Sequence, residues 1–159
     1  MARAAADFPD LNFIAFHSAF PWDAELARQA KAASVKNLYA ELGSLARMMR
    51  TDPASYAVFI ANLLDGFGPD HILWGIHTPV IGPPHWQIEA FRTFTIPEEL
   101  VARRDYSPLT PEVKNKIFGE NAARIFGIDI AAARQAIEGD LLYKLRNDRN
   151  PLPPGAAPL

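Results

Sequence analysis

The sequence contains no cysteine and carries a formal net charge of only -2. The absence of cysteine excludes disulfides and cysteine-ligated zinc, and it suits a reducing compartment. The near-neutral charge balance gives no reason to expect nucleic acid or an anionic membrane as a partner. No stretch approaches the ~20 consecutive apolar residues of a membrane span, and residues 1–9 lack the apolar core of a signal peptide. We therefore expect a cytoplasmic protein with neither nucleic-acid nor membrane partners.

Three short apolar segments each end in a polar residue suited to catalysis. Residues 12–16 precede His17, residues 38–40 precede Glu41, and residues 72–76 precede His77. Such segments predict strands buried on both faces, and the helical segments between them predict parallel pairing. The carboxyl ends of parallel strands meet at one edge, which is where α/β sheets and barrels bind ligands. We therefore expect His17, Glu41 and His77 to face one rim.

The rest of the chain is predicted to be mainly helical. Asp23 predicts the start of a helix running to about residue 33, and Asp52 followed by Pro53 predicts another, because a carboxylate caps backbone N–H groups and proline suits the first helical position. Apolar spacing predicts further helices over residues 86–94, 110–119 and 129–145, and Asn121 is predicted to cap a short turn to residue 126. Residues 1–10 are expected to be frayed, residues 1–146 to form the domain, and residues 147–159 to be a proline-rich disordered tail.

Three strands of this kind do not make a self-sufficient sheet. Both edges would expose backbone donors and acceptors beside apolar side chains. The sequence therefore predicts one part of a larger α/β fold.

Four segments carry a resemblance to a known family: Phe13–His17, Leu38–Leu42, Asp70–Pro79 and Lys116–Phe126. They resemble the C-terminal portion of amidohydrolase-related proteins of the metal-dependent hydrolase superfamily, a group that also contains decarboxylases. The resemblance implies a TIM-type (β/α)8 barrel, of which this chain would supply strands six, seven and eight. It also implies a divalent metal, zinc above all, that lowers the pKa of bound water and polarises a small organic substrate.

The resemblance carries over only partly to the residues of the metal site. It places His17 at the position of the strand-six histidine, and it places His77 where the family has a metal-binding aspartate. The family's His-x-His pair and its strand-five ligand have no counterpart in the sequence. Two histidines are fewer ligands than a zinc site needs, and a neutral imidazole adds no negative charge. We therefore expect weak metal binding by this chain, or none.

The predicted site residues each have a structural alternative. His17 and His77 are the candidate catalytic residues, with His77 on the metal side, while either could simply end its strand. The candidate substrate contacts are Glu41, Trp22 and His85. Alternatively, Glu41 is a solvated or ion-paired carboxylate at a strand end, Trp22 is an ordinary packed side chain, and His85 is a residue at the start of a helix.

Two hypotheses for the whole chain follow. One is a metal-dependent hydrolase or decarboxylase, present as a C-terminal fragment that is inactive alone. The other is a non-catalytic chain that self-associates as a homo-oligomer or docks onto an N-terminal half-barrel. A truncated gene product without a stable function is a third reading, which the coding sequence upstream of Met1 would test.

Overall fold

A computed structural model describes residues 1–78, 80–104, 107–138 and 140–142 of the chain. The helices, in chain order, are α1 Ala2–Asp7, α2 Asp23–Ala33, α3 Met48–Thr51, α4 Pro53–Phe67, α5 Pro84–Thr93, α6 Glu98–Arg104, α7 Pro111–Asn115, α8 Asn121–Phe126 and α9 Ile130–Ile137. The strands are β1 Phe13–Ala15, β2 Leu38–Glu41 and β3 Ile72–Leu73. The chain divides into two compact units, Met1–Ala122 and Ala123–Leu159. None of the helices among the described residues has the length and apolar character needed to cross a membrane.

In the described part of the chain, the strands form one parallel sheet in the order β1-β2-β3. Ala15 pairs with Ala40, and Ala40 pairs with Ile72, so the carboxyl ends of all three strands reach the same edge. The prediction of a helix-rich α/β fold with parallel strands is confirmed.

Strand β3 is shorter than predicted. It ends at Leu73, because the N–H of Trp74 donates to the carbonyl oxygen of Ile117 at 3.0 Å instead of pairing with another strand. Ile117 belongs to a π-helical turn, Lys116–Glu120. Residues 74–77 therefore leave the sheet as irregular backbone and carry His77 beyond the strand end.

Helix α4 packs against α2 and against strands β2 and β3. Asp52 caps it as predicted, because its carboxylate accepts a hydrogen bond from the N–H of Ser55 at 3.1 Å, and Pro53 is the first helical residue. Tyr56, Ile60 and the other apolar residues at helical spacing are buried, and they pack in one core with residues of α2 and β2.

The beginning of the chain is ordered, and the prediction of frayed residues 1–10 is wrong. Helix α1 buries the side chains of Ala2 and Ala5 in the core. The Asn37 side chain secures this segment, because its Nδ2 donates to the carbonyl oxygens of Ala5 (3.0 Å), Phe8 (3.0 Å) and Leu11 (2.7 Å). These contacts span about 30 residues of sequence, so local pattern does not reveal them.

Asn121 does not cap the turn that was predicted to follow it. Its Nδ2 instead donates to the carbonyl oxygens of Pro69 at 2.9 Å and Ile72 at 2.8 Å. This buried amide therefore anchors the start of α8 to the entrance of β3. Helix α6 was not predicted at all.

The second unit contains α9, which begins where the sequence predicted. Asp129 accepts hydrogen bonds from the N–H groups of Ala131 at 2.9 Å and Ala132 at 3.1 Å. The helix ends at Ile137, and residues 143–145, to which the prediction extended it, lie outside the described residues. The predicted tail, residues 147–159, lies outside the described residues.

Candidate functional site

Two histidines from different strand ends meet beyond the carboxyl edge of the sheet. His17 follows β1 in a short 3-10 turn, Phe16–Ala19, and His77 follows β3. The Nε2 atom of His17 lies 2.9 Å from the Nδ1 atom of His77, and the ring centroids are 4.8 Å apart. This hydrogen bond joins side chains from the two outer strands, across the end of β2.

An unusual backbone turn delivers His17 to this position. The backbone is left-handed at three successive residues, with φ angles of 51° at His17, 52° at Ser18 and 58° at Ala19. This conformation is sterically unfavourable for residues other than glycine. Two hydrogen bonds to Glu41 hold the turn. The N–H of His17 donates to Oε2 of the Glu41 carboxylate at 2.9 Å, and the buried Ser18 hydroxyl donates to the backbone carbonyl oxygen of Glu41 at 2.9 Å. The end of β2 therefore fixes the conformation that follows β1.

Both oxygens of the Glu41 carboxylate accept hydrogen bonds from backbone N–H groups. Its Oε1 accepts a hydrogen bond from the N–H of Gly43 at 2.8 Å, while Oε2 accepts from His17. Sequence analysis proposed Glu41 as a substrate contact, and the structure places it beneath the histidine pair as the acceptor of two backbone donors. Its predicted role toward substrate stays a prediction.

Two glycines make room for this arrangement. A Cβ atom at Gly75 would overlap Oε1 of Glu41, and a Cβ atom at Gly43 would overlap the His17 ring. Gly43 also has a φ of 50°, which glycine adopts at no steric cost. The sequence predicted Gly75 to lie inside the third strand, and it gave no signal that either glycine borders the site.

A third polar group extends the histidine pair. The hydroxyl oxygen of Ser44 lies 3.4 Å from Nδ1 of His17. When His17 donates its Nε2–H to Nδ1 of His77, its own Nδ1 is left with a lone pair that can accept the Ser44 hydroxyl proton. The exposed Phe16 ring stacks on His17 at a centroid distance of 4.0 Å. The arrangement can therefore hold and pass a proton, beside an aromatic surface open to a ligand.

The described residues do not by themselves fit a catalytic zinc. Such sites use three protein ligands and leave one position open. In the described part of the chain, no group of three or more His, Asp or Glu side chains is placed to hold a metal ion. One nitrogen of each histidine is used in the hydrogen bond between them, so each ring offers at most one further nitrogen, and Glu41 already accepts two backbone donors.

The other two predicted substrate contacts are exposed side chains at the starts of helices. Trp22 immediately precedes α2 and is 71% exposed. His85 is exposed in the first turn of α5. Within the described residues, neither side chain has a hydrogen bond or ring contact with His17 or His77, and their predicted roles stay predictions.

Comparison with known proteins places the chain in a family context. The family profile described as amidohydrolase matches residues 1–128. Two crystal structures of an amidohydrolase from Burkholderia multivorans, one with bound HEPES and one with bound zinc, match with TM-scores of 0.54 and 0.55 and 16% identity. Each match covers 80% of this chain and 48% of the other, so the chain spans about half the length of these structures. A search of curated proteins gave no match.

Proposed function

Because the chain belongs to the amidohydrolase family, we propose that it supplies strands six, seven and eight of a (β/α)8 barrel, as β1, β2 and β3. The complete barrel would be a metal-dependent hydrolase, or a decarboxylase, acting on a small organic substrate. The parallel strand order and the clustering of polar side chains at the carboxyl edge support this proposal, since TIM-barrel enzymes place their active sites there.

The observation that carries the proposal is the 2.9 Å contact between Nε2 of His17 and Nδ1 of His77. A direct imidazole–imidazole hydrogen bond requires one ring to present an N–H and the other a lone pair. His17 is then the proton-transfer group, with Ser44 on its second nitrogen, and His77 receives or returns the proton on the opposite side. Glu41 is the positioning residue that sets the His17 backbone.

The metal ligands that this chain lacks would come from strands outside its described residues. Zinc is bound in one of the two matched structures, and we propose that the complete barrel also uses a divalent metal. On this proposal the chain is a C-terminal part with an incomplete metal site and is inactive alone.

The test is to purify the full chain, measure zinc by elemental analysis, and assay esterase and amidase activity. We expect fewer than one zinc per chain and no activity. A stoichiometric zinc that is lost in His77→Ala would contradict the proposal. His71→Ala is the matched control, because the His71 ring is hydrogen-bonded to the Lys36 carbonyl oxygen and not to His17 or His77.

One observation favours a second candidate function, a chain that completes or assembles with a partner. In the described residues β1 pairs only with β2, and exposed apolar side chains occur in β1 and in the segments on either side of it. Ile14 is 39% exposed and Phe16 is 68% exposed, and the neighbouring Phe8 and Leu11 are exposed as well. An unpaired strand edge beside apolar groups is a template for another strand.

Size-exclusion chromatography with light scattering, over a range of concentrations, tests this second candidate. We expect self-association that weakens in Ile14→Lys, while Val58→Lys, an equally exposed position on α4, has no effect. A monomer at all concentrations that also unfolds in one cooperative transition would argue against a partner-dependent chain.

A further inference from the structure

Ser44 lies beside the histidine pair and completes a row of three side chains, a hydroxyl followed by two imidazoles. Its hydroxyl oxygen lies 3.4 Å from Nδ1 of His17, and Nε2 of the same ring lies 2.9 Å from Nδ1 of His77. In enzymes with a serine nucleophile, a base contacts the hydroxyl and a third group orients the base, which is the order found in this row. The described residues therefore contain a candidate nucleophile that needs no metal ion.

The backbone beside Ser44 explains why its hydroxyl reaches the ring. Strand β2 ends at Glu41, and Gly43 takes a φ of 50° immediately before Ser44. A Cβ atom at Gly43 would overlap the His17 ring, so glycine allows this ring to lie directly against the turn that carries the serine. The Glu41 carboxylate accepts the N–H groups of both His17 and Gly43. One carboxylate therefore fixes the hydroxyl and its base relative to each other.

The proton positions in the row decide whether Ser44 is activated. When His17 donates its Nε2–H to His77, its Nδ1 carries a lone pair that can take the Ser44 proton. His77 then accepts a hydrogen bond from the imidazolium that forms on His17, and this stabilises the charge. The opposite tautomer would place an N–H on Nδ1 of His17 and leave the hydroxyl unactivated. The reactivity of Ser44 therefore reports which tautomer the chain adopts.

The row is accessible to a small ligand. Ser44, His17 and His77 are each partly exposed. The Phe16 ring, which is 68% exposed, stacks on His17 at a centroid distance of 4.0 Å. An apolar or aromatic group can pack on this ring, since aromatic faces favour such contacts. An ester with an aryl portion therefore suits the surface that surrounds the hydroxyl.

The backbone N–H groups of the residues on either side of Ser44 are already used. The N–H of Gly43 donates to Glu41, and the N–H of Leu45 donates to the carbonyl oxygen of Leu42 at 3.3 Å. Rapid hydrolysis of an acyl-serine depends on donors aimed at the developing negative charge, each of which contributes roughly 10²–10³ in rate. An acyl group placed on Ser44 should therefore persist.

We propose that Ser44 takes the acyl group of a small activated ester, in a reaction that needs neither a metal nor another strand of the barrel. A bond forms between Oγ and the acyl carbon, the bond from that carbon to the alcohol oxygen breaks, and the alcohol leaves with the electron pair. The Ser44 proton passes to Nδ1 of His17 and from there to the departing oxygen. This activity goes beyond the proposed hydrolase, in which water on the metal is the nucleophile.

The experiment treats the full chain with p-nitrophenyl acetate in the presence of a chelator. Absorbance follows the release of p-nitrophenolate, and tandem mass spectrometry locates the acetyl group. We expect a burst of one p-nitrophenolate per chain, an acetyl group on Ser44 and little release afterwards. Ser44→Ala should remove the burst, and His17→Gln should slow it by about 10²-fold, the lower end of what a general base contributes.

The matched control is Ser34→Ala, which should leave the burst unchanged. The Ser34 hydroxyl is exposed and donates to the carbonyl oxygen of Lys31 at 3.5 Å, so its partner is a backbone group that cannot act as a base. Thermal melts of every variant establish that it is folded. A burst that persists in Ser44→Ala, or an acetyl group on His17 or His77 with none on Ser44, would overturn the proposal.

A thiol at the same position provides a second measurement, because the sequence contains no cysteine of its own. Ser44→Cys and Ser34→Cys each carry a single thiol, and its alkylation by iodoacetamide at neutral pH reports the fraction of thiolate. We expect Ser44→Cys to react about tenfold faster, although position 34 is more exposed, since a neighbouring histidine favours the thiolate. His17→Gln should abolish the difference. Equal rates at the two positions would overturn the proposal even if Ser44→Ala failed to fold.

The outcomes separate this inference from the proposed function. The burst and the alkylation rates are measured on this chain without metal, whereas zinc content and continued turnover test the metal-dependent hydrolase. An acyl-serine in a chain that binds no zinc supports the inference and is compatible with the expected lack of turnover. An unreactive Ser44 beside an active completed barrel would overturn the inference alone.

Discussion

Replacing Glu41 with glutamine tests whether this carboxylate holds the site together. Each carboxylate oxygen accepts one backbone N–H, from His17 at 2.9 Å and from Gly43 at 2.8 Å. Glutamine keeps one acceptor and turns an NH2 group toward the other N–H, which then has no partner. Hydrogen bonds to a charged acceptor contribute ~1.5–3 kcal/mol, and an unpaired buried donor adds to the loss. We expect Glu41→Gln to destabilise the chain by about 2 kcal/mol.

Thermal and urea unfolding of the full chain measure this loss. For a chain of this size, 1 kcal/mol shifts Tm by ~2–4 °C, so we expect a fall of about 4–8 °C. Glu89→Gln is the control: Glu89 makes an exposed ion pair with Arg92, whose removal should change the free energy of unfolding by less than about 0.5 kcal/mol.

A second readout separates the hydrogen bonds from general damage. The amide protons of His17 and Gly43 should move upfield in Glu41→Gln, because at least one of them loses its charged acceptor. If the variant melts within about 1 °C of the original chain and both amide signals are unchanged, the assignment of Glu41 as the organiser of the site is wrong.

Three further substitutions test other parts of the fold. The buried Tyr56 hydroxyl has no partner among the described residues, so Tyr56→Phe should raise stability by about 1 kcal/mol in urea unfolding; a loss of stability would refute this. Burial raises the pKa of the Asp23 carboxyl group in the folded chain above its unfolded value, near 3.9. Its contribution to folding stability is therefore full below the unfolded pKa and is lost as pH rises through the folded pKa. Asp23→Asn should therefore gain stability relative to the original chain as pH rises from about 4 to 7. A difference in unfolding free energy between the two proteins that does not change with pH would contradict this prediction. Gly75→Ala should cost ~1–3 kcal/mol because its methyl group meets Glu41, whereas Gly119→Ala, with open space around it, should cost little; equal melting temperatures would contradict this.

The strands and the first two long helices followed from local pattern. Strand β2, Leu38–Glu41, is found as predicted, because a short apolar run followed by the turn residues Gly43 and Ser44 is typical of a buried strand. The capping carboxylate of Asp52 acts only within its own turn, and so it is visible in sequence. The family resemblance was confirmed by the profile match over residues 1–128.

The geometry of the site was beyond sequence reasoning because it depends on contacts between distant segments. The left-handed turn at His17 is held by Glu41, 24 residues away, and no local preference favours that conformation for a histidine. One cavity of about 430 Å³ is lined by Arg47, Arg50 and Trp86, which lie in two segments that only the fold brings together.

The attachment of the N-terminal segment depends on the chemistry of one amide. Asn37 supplies a single nitrogen to three carbonyl oxygens. Spontaneous deamidation at this position would set a negative oxygen against those same carbonyls, and the segment that precedes β1 would be repelled instead of held. An aged preparation should then be cut by trypsin after Arg3 faster than a fresh one, because α1 would no longer be held against the core.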